Sequence, residues 1–278
     1  MPARTGLGLA AGLAVVMILV LDAAWPAGFV YAAVCMAVAA VALSELAGMA
    51  ARVGVPVNAP LLVLAGSALF LLQWAGWAAP DTFGGPWFAA GLVPAVAVGA
   101  GLAEHVLRGR IPGAIESVGV LALGLIYVPL LLGFLTGVRL RWGVSGLFAV
   151  LAVCKFGSSG AYFFGSWLGR RKLAPVVSPG KTVLGAFAEV GTGMLVALLL
   201  SLSPLAVLAP GPSLAFGMLV SGAAIVGDLA ASLLKRQAGL KDSSPILPGI
   251  GGMLDMIDGL LFAAPVAYFV LAVCGAGG

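Results

Sequence analysis

The stretch from Ser232 to Asp258 reads S-L-L-K-R-Q-A-G-L-K-D-S-S-P-I-L-P-G-I-G-G-M-L-D-M-I-D and lies between two strongly apolar segments. It contains three of the chain's 14 cations and three of its 10 carboxylates, although only 9% of all residues are charged. These six are Lys235, Arg236, Lys241, Asp242, Asp255 and Asp258. A further carboxylate, Asp228, precedes the stretch inside an apolar run. Because charges are costly at membrane depth, this polar island predicts a functional site.

The composition predicts an integral membrane protein with an all-α fold. Of the 278 residues, 62% are hydrophobic, and the mean hydropathy is +1.17. A soluble domain cannot bury that much apolar surface. The 41 glycines fit transmembrane helices that pack closely through small residues. The net charge of only +4, without a basic stripe outside the loops, argues against a nucleic-acid partner and leaves membrane lipids as the expected surroundings.

We predict a polytopic bundle of about nine transmembrane helices with a cytoplasmic N-terminus. In that orientation eleven Lys and Arg residues face the cytoplasm and two, Arg139 and Arg141, face the outside, as the positive-inside rule requires. The predicted spans are Leu7–Leu21, Ala27–Ser44, Leu61–Trp77, Trp87–Ala103, Ala114–Thr136, Val144–Trp167, Val183–Leu202, Ser213–Ala231 and Gly252–Leu271.

The charges at membrane depth predict a division of the chain into residues 1–143 and 144–278. The first five spans carry no charge deep in the apolar phase, so we expect them to serve packing, lipid contact and a homodimer surface. The later spans carry or adjoin Lys155, Glu189, Asp228, Asp255 and Asp258. Each such charge costs about 2.5–3.5 kcal/mol at a helix centre. The second region is therefore expected to hold the functional site.

The carboxylates at the start of the last span have the spacing of a cation site. Gly251 and Gly252 allow a close backbone approach where the helix begins. Asp255 and Asp258 lie three residues apart, hence on one helix face. Together with Asp228 they offer the hard oxygen ligands that Mg²⁺ prefers, and a second cation stays open. The alternative interpretation is a charge-paired helix cap that anchors the protein to lipid headgroups.

The cations of the same stretch, Lys235, Arg236 and Lys241, suit a polyphosphate beside such a metal. A second polar segment, Ser178-Pro179-Gly180-Lys181-Thr182, directly precedes the seventh predicted span. Lys181 near a helix N-terminus indicates a phosphate contact. The segment lacks the upstream glycine and the preceding strand of a Walker loop.

The stretch from Ser232 to Asp258 resembles the signature of the phosphatidate cytidylyltransferase (CDP-diacylglycerol synthase) family. That signature runs S-x-apolar-K-R, four residues, K-D, then P-x-H-G-G-apolar-x-D-R-apolar-D. The residues that match it in register are Ser232, Lys235, Arg236, Lys241, Asp242, Pro248, Gly251, Gly252, Asp255 and Asp258. Gly227-Asp228-Leu229, the run from Gly160 to Gly165 and the segment from Ser178 to Thr182 are similar to the family as well. The resemblance covers roughly residues 150 to 265.

The resemblance implies that CTP and phosphatidate react to give CDP-diacylglycerol and pyrophosphate at a magnesium site. The active site is expected at the cytoplasmic edge of a bacterial inner membrane, in a protein that forms a homodimer. The implied catalytic residues are Asp228, Lys235, Arg236, Lys241 and Asp255. Metal ligands are expected among Asp228, Asp255, Asp258 and Asp242. The implied substrate-binding residues are Lys181, Ser178, Ser232, Tyr162, Gly251 and Gly252.

Four departures from the family pattern keep alternatives open. Ile250 and Met256 replace its His and Arg, and Ser158 and Leu184 stand where many members have Asp and Glu. These changes fit a subfamily, an altered lipid specificity or an inactive lipid-binding relative. A related CTP-dependent isoprenoid-lipid cytidylyltransferase or kinase is a further alternative. The intramembrane charges leave an ion-coupled transporter as the last one.

Overall fold

The computed structural model describes residues 22, 28–244 and 251–275, and these residues are predominantly helical. A π-helical turn, Ile126–Leu130, which includes Pro129, joins the fifth and sixth helices. Two short strands precede the seventh helix. In chain order the elements are α1 Phe29–Arg52, α2 Ala59–Ala78, α3 Pro80–Phe83, α4 Pro86–Leu107, α5 Ala114–Leu125, α6 Leu131–Leu168, β1 Lys172–Ala174, β2 Ser178–Thr182, α7 Val183–Ser201, α8 Pro210–Gln237 and α9 Met253–Cys274.

Within the described residues, seven helical stretches are long and apolar enough to cross a membrane, which confirms the predicted all-α membrane bundle. The longest, Ala114–Leu168, has 55 residues and would measure about 80 Å if straight, far more than the roughly 30 Å of a bilayer core. Gly143 interrupts it with φ 68° and ψ −163°, a conformation almost restricted to glycine. This break separates the two predicted spans that the stretch contains. The first predicted span, Leu7–Leu21, lies outside the described residues, so the count of nine stays a prediction.

The chain divides into two compact units. The first unit comprises Met1–Thr136 and Asp242–Met256, and the second comprises Gly137–Lys241 and Ile257–Gly278. The first turn of α9 therefore belongs to the first unit and the remainder of α9 to the second. The predicted functional division at residue 143 stays a prediction.

The first unit packs α1, α2, α4 and α5 around an apolar core. Leu43, Leu62, Leu69 and Phe70 are fully buried there. Glycine permits the closest approach, because a Cβ at Gly124 would lie 2.8 Å from a Leu62 methyl group. Small residues thus set the helix spacing in the first unit, as is typical of membrane helices.

The second unit is built on the contact between α7 and α8. A Cβ at Gly217 would lie only 2.6 Å from the carbonyl oxygen of Gly193, so the two backbones meet at these glycines. The antiparallel strands β1 and β2 form a hairpin that leads directly into α7. Thr182 is the N-cap of α7, and its Oγ1 accepts the N–H of Gly185 at 3.1 Å. Lys181, the preceding residue, is thereby fixed at a helix N-terminus, where it was predicted.

Candidate functional site

The second unit contains a cavity of about 400 Å³ that α6, the hairpin, α7 and α8 line. Its wall combines apolar groups with polar and charged side chains from four separate elements. These polar side chains are Ser158, Tyr162, Ser166, Lys181, Thr182, Glu189 and Asp228. A concave site with a few convergent polar groups has the form of a small-molecule site.

An ion pair in the cavity joins Lys181 of β2 to Asp228 of α8, with Nζ and Oδ2 2.5 Å apart. The Lys181 side chain is 23% exposed and that of Asp228 40% exposed, so both charges are accessible from the cavity. The hydroxyl of Ser232, one helical turn after Asp228, donates to Oδ1 over a long 3.4 Å. The structure thus brings together three residues that the sequence predicted for the site from separate segments.

A second carboxylate, Glu189 of α7, lies deeper in the same cavity and is 6% exposed. The Ser158 hydroxyl lies 3.3 Å from Oε1 of Glu189 and 2.9 Å from the Cys154 carbonyl oxygen, and its single proton is shared between these two acceptors. Glu189 is close enough to Lys181 and Asp228 to interact with both charges. The sequence identified Glu189 as an intramembrane charge but did not assign it to the site. Ser158, a departure from the family pattern, therefore has a defined partner in this structure.

Asp258 lies on α9 beside the Asp228 segment of α8. A Cβ at Gly227 would lie 2.5 Å from the Asp258 carbonyl oxygen, so the two helices touch at this point. The Asp258 carboxylate accepts the N–H of Gly259 at 2.6 Å. It interacts electrostatically with Asp228, Lys155 and Lys235. Asp258 therefore lies within electrostatic range of one carboxylate and two lysines of the second unit.

The other predicted cations lie near the end of α8. Lys235 is buried, whereas Arg236 and Lys241 are exposed. The Arg236 guanidinium donates to two carbonyl oxygens, those of Val177 at 3.2 Å and Leu240 at 3.1 Å. Arg236 thus ties the hairpin turn to the segment after α8. Its predicted phosphate contact stays a prediction, as does that of Lys241.

Two further predicted substrate residues have different environments. The Tyr162 side chain lines the cavity but is 72% exposed, with its ring centroid 5.9 Å from that of Phe163. Ser178 is half-buried at the start of β2, where it pairs with Ala174. Their substrate roles stay predictions.

In the first unit Asp255 organises the entry to α9. Its Oδ2 accepts three hydrogen bonds, from the N–H of Ser243 at 2.7 Å, the Ser243 hydroxyl at 2.9 Å and the N–H of Gly252 at 2.9 Å. Gly251 has a φ of 104°, which favours glycine. Asp242, the neighbour of Ser243, is exposed. The ligand roles predicted for Asp255 and Asp242 stay predictions.

Sequence reasoning missed Glu45, which is 6% exposed within α1. It accepts hydrogen bonds from the N–H groups of Met253 and Leu254 and from the Ser243 hydroxyl. The predicted span ended at Ser44, so Glu45 lay outside it, whereas α1 continues to Arg52. A carboxylate flanked on both sides by apolar helical sequence was the available signal.

The oxygen donors of the second unit fit a hard divalent cation. Asp228 and Asp258 lie on two helices in backbone contact, and Mg²⁺ commonly binds through one or two carboxylates while water and substrate phosphates complete its shell. Within residues 22, 28–244 and 251–275, however, no three His, Cys, Asp or Glu side chains form a group that could hold a metal by themselves. Magnesium therefore stays a prediction that depends on a bound phosphate substrate.

Known proteins with similar sequences match about half of the chain. A phosphatidate cytidylyltransferase from Bacillus subtilis is 39% identical over 164 residues, which cover 57% of this chain and 60% of that protein. One from Thermotoga maritima is 37% identical over 163 residues, with the same coverage. An uncharacterized Escherichia coli protein, YnbB, is 40% identical over 127 residues, or 45% of this chain and 42% of that protein. The matches thus span about half the length of these relatives.

The match to a whole family extends much further along the chain than the match to any of these relatives. The model of the cytidylyltransferase family matches residues 2–274, which include both units and the signature from Ser232 to Asp258. The resemblance noted from that signature is thereby confirmed at the level of the family. The chain belongs to the cytidylyltransferase family.

Proposed function

We propose that this protein transfers the cytidylyl group of CTP to phosphatidate, giving CDP-diacylglycerol and pyrophosphate. The family membership and the names of the Bacillus and Thermotoga relatives support this reaction. The observation that carries the proposal is the Lys181–Asp228 ion pair inside the cavity of the second unit. It supplies a cation for phosphate and a carboxylate for a metal in one concave site.

The partial exposure of this ion pair suits exchange for a ligand. Partly solvated ion pairs contribute only about 0–1 kcal/mol, so little is lost when a phosphate oxygen replaces Asp228 as the partner of Lys181. Asp228 would then turn to a cation. Lys181 also lies at the N-terminus of α7, where the helix dipole favours anions.

The chemistry needs alignment and charge neutralisation more than proton transfer. A phosphate oxygen of phosphatidate attacks the α-phosphorus of CTP, the bond from that phosphorus to the bridging oxygen of the β-phosphate breaks, and pyrophosphate leaves with the electron pair. Because the attacking oxygen is already ionised at neutral pH, no general base is required. Lys181 and Lys235 neutralise the anions and hold them in line, and we assign Arg236 and Lys241 the same task.

The residues that would hold Mg²⁺ in the second unit are Asp228 and Asp258. When bound, the cation supplies positive charge that offsets the charge of the triphosphate. Asp255 and Asp242 remain candidate ligands on the strength of the signature. The departures Ile250 and Met256 lie near Asp255 in sequence but leave all the carboxylates in place. We therefore expect them to alter the choice of lipid substrate.

We further propose a cytoplasmic active site in a bacterial inner membrane. The excess of Lys and Arg in the segments predicted to lie inside supports this orientation, and cytoplasmic CTP requires it. A lateral opening toward the bilayer would admit the two acyl chains of phosphatidate. The proposed homodimer rests on the glycine-rich helices of the first half and on the family resemblance.

The test is an activity assay on the purified protein in lipid-containing detergent with CTP and Mg²⁺. We expect phosphatidate to be converted to CDP-diacylglycerol with release of one pyrophosphate per lipid. Lys181→Gln should lower kcat/KM by about 100-fold, the scale of losing one electrostatic contact to the transition state. The matched control is Lys172→Gln, an exposed lysine on the same hairpin, which should stay within twofold of the wild type.

Other outcomes would redirect the assignment. Turnover of a polyprenyl phosphate in place of phosphatidate would identify the protein as an isoprenoid-lipid cytidylyltransferase. Equal losses for Lys181→Gln and Lys172→Gln would remove the cavity of the second unit from the mechanism. The absence of both turnover and CTP binding would overturn the proposed function.

A further inference from the structure

Glu45 of α1 is a buried carboxylate whose donors all come from the far end of the chain. Its Oε1 accepts the N–H of Met253 at 2.9 Å. Its Oε2 accepts the N–H of Leu254 at 2.8 Å and the hydroxyl of Ser243 at 3.0 Å. With 6% of its surface exposed, Glu45 depends on these three donors to balance its loss of water. Hydrogen bonds to a buried charge are among the stronger ones in proteins.

These contacts complete the N-terminal cap of α9. The first N–H groups of a helix lack partners within the helix, and a side chain at the preceding residue commonly accepts one of them. Here that residue is Gly252, which has no side chain. Glu45 accepts these N–H groups instead, from a different helix. Asp255, at the third helical position, bonds back to the N–H of Gly252, as the acidic residue of a capping box does.

Ser243 links Glu45 to Asp255. Its hydroxyl lies 3.0 Å from Oε2 of Glu45 and 2.9 Å from Oδ2 of Asp255, and its single proton serves one carboxylate at a time. Its N–H also donates to Asp255. A Cβ at Gly252 would collide with both the Ser243 hydroxyl and Glu45 Oε1. Gly252 of the signature is therefore what allows Glu45 to reach the helix.

We propose that Glu45 is a positioning residue that fixes the first turn of α9 and, through Ser243, the orientation of the Asp255 carboxylate. The first half of the chain thereby contributes to the signature at the other end of the sequence. The proposal rests on the proposed function only where it counts Asp255 as a site carboxylate. That Glu45 fixes the first turn of α9 follows from the hydrogen bonds alone and does not depend on the proposed function.

The decisive variant is Glu45→Gln, which keeps the shape of the side chain but replaces one acceptor oxygen with an NH₂ donor. That donor would face an N–H group and break at least one of the three hydrogen bonds. The matched control is Glu104→Gln in the same unit. Glu104 likewise accepts from an amide, Asn58 Nδ2 at 2.6 Å, and pairs with a cation, Arg108 at 2.8 Å, but it makes none of these contacts with α9.

Two readouts on the full-length protein separate positioning from simple stabilisation. Hydrogen exchange at the amide of Met253 or Leu254 should speed up roughly 10-fold or more in Glu45→Gln, because at least one of the two N–H groups loses its acceptor and faces a donor instead. The Mg²⁺ concentration for half-maximal turnover should rise about 10–100-fold, the usual effect of losing a residue that orients a metal ligand. Glu104→Gln should change neither quantity. Glu45→Asp, which keeps both oxygens, should fall between Glu45→Gln and the wild type.

Unchanged exchange at these two amides in Glu45→Gln would overturn the proposal. So would faster exchange accompanied by wild-type kcat and wild-type Mg²⁺ dependence, because Glu45 would then be only a structural cap. If the wild type itself does not turn over phosphatidate, the proposed function fails, and the exchange measurement alone decides whether Glu45 holds the turn.

Discussion

One carboxylate cluster in the first unit and one in the second are stabilised in different ways. In the first unit Glu45 and Asp255 accept hydrogen bonds from backbone N–H groups and from one serine hydroxyl. In the second unit Asp228 pairs with the flexible ammonium group of Lys181 at the wall of a cavity. Backbone donors cannot leave without unfolding a helix turn, whereas a lysine can move to a phosphate. We therefore propose that the first cluster holds the helix turn in place and that the second exchanges partners with a ligand.

The largest effect should follow from removing the exchangeable carboxylate. Asp228→Asn is expected to lower turnover by at least about 100-fold, because the amide neither pairs with Lys181 nor binds a cation as a carboxylate does. Since Asp228 is partly exposed, the protein should remain folded. The control is Asp81→Asn, an exposed carboxylate of α3, which should leave turnover unchanged. An active Asp228→Asn variant would mean that the ion pair is only structural.

A large loss of stability is expected from adding a methyl group beside Glu45, Ser243 and Asp255 at the start of α9. Gly252→Ala should lower the free energy of unfolding by about 1–3 kcal/mol, because the new methyl group collides with Ser243 and Glu45. Thermal unfolding in detergent measures this effect. Gly191→Ala is the control, since a Cβ there meets nothing within 4 Å and alanine favours the helix by about 0.5–1 kcal/mol. Equal melting temperatures for the two variants would contradict the described packing.

The contact between α8 and α9 offers a similar comparison in the second unit. Gly227→Ala should lower stability by about 1–2 kcal/mol, because its methyl group would lie 2.5 Å from the Asp258 carbonyl oxygen. Gly222→Ala on the same helix meets no atom within 4 Å and should be neutral or slightly stabilising. Turnover by Gly227→Ala should fall as well, since Asp228 and Asp258 would be pushed apart. A stable and fully active Gly227→Ala variant would contradict the close helix contact.

The smallest effect should come from Ser232. Its hydroxyl is 3.4 Å from Asp228 Oδ1, and bonds of that length are weak. Ser232→Ala should therefore change kcat/KM by no more than about threefold. Steady-state kinetics with varied CTP measure this change. A loss close to that of Asp228→Asn would show that Ser232 touches the substrate directly, as the sequence predicted.

The sequence predicted the helical membrane fold well because hydropathy is a local property that each segment carries by itself. Hydropathy also separated the two predicted spans on either side of Gly143, where the structure has the helix break. The β-hairpin before α7 was not predicted, since Lys172–Ala174 and Ser178–Thr182 are too short for a periodic pattern. The residues of the signature were identified from their fixed spacing.

Contacts between distant segments could not be predicted from one sequence. Lys181 and Asp228 were both assigned to the site, but spacing along the chain does not reveal that they pair. Glu45 lies about 200 residues before its partners, and no local pattern connects it to a glycine pair. Its role becomes evident only when the structure shows which N–H groups its carboxylate accepts.

The most direct test of cytidylyl transfer follows the α- and γ-phosphates of CTP in separate labelling experiments. The purified protein, phosphatidate and Mg²⁺ are incubated with CTP labelled at either the α- or the γ-phosphate, and the lipid product is counted. Cytidylyl transfer predicts that the α-label enters the lipid while the γ-label is released as pyrophosphate, and that Lys181→Gln slows the incorporation about 100-fold. Entry of the γ-label into lipid would identify a kinase and contradict the account. No incorporation of either label would contradict it as well.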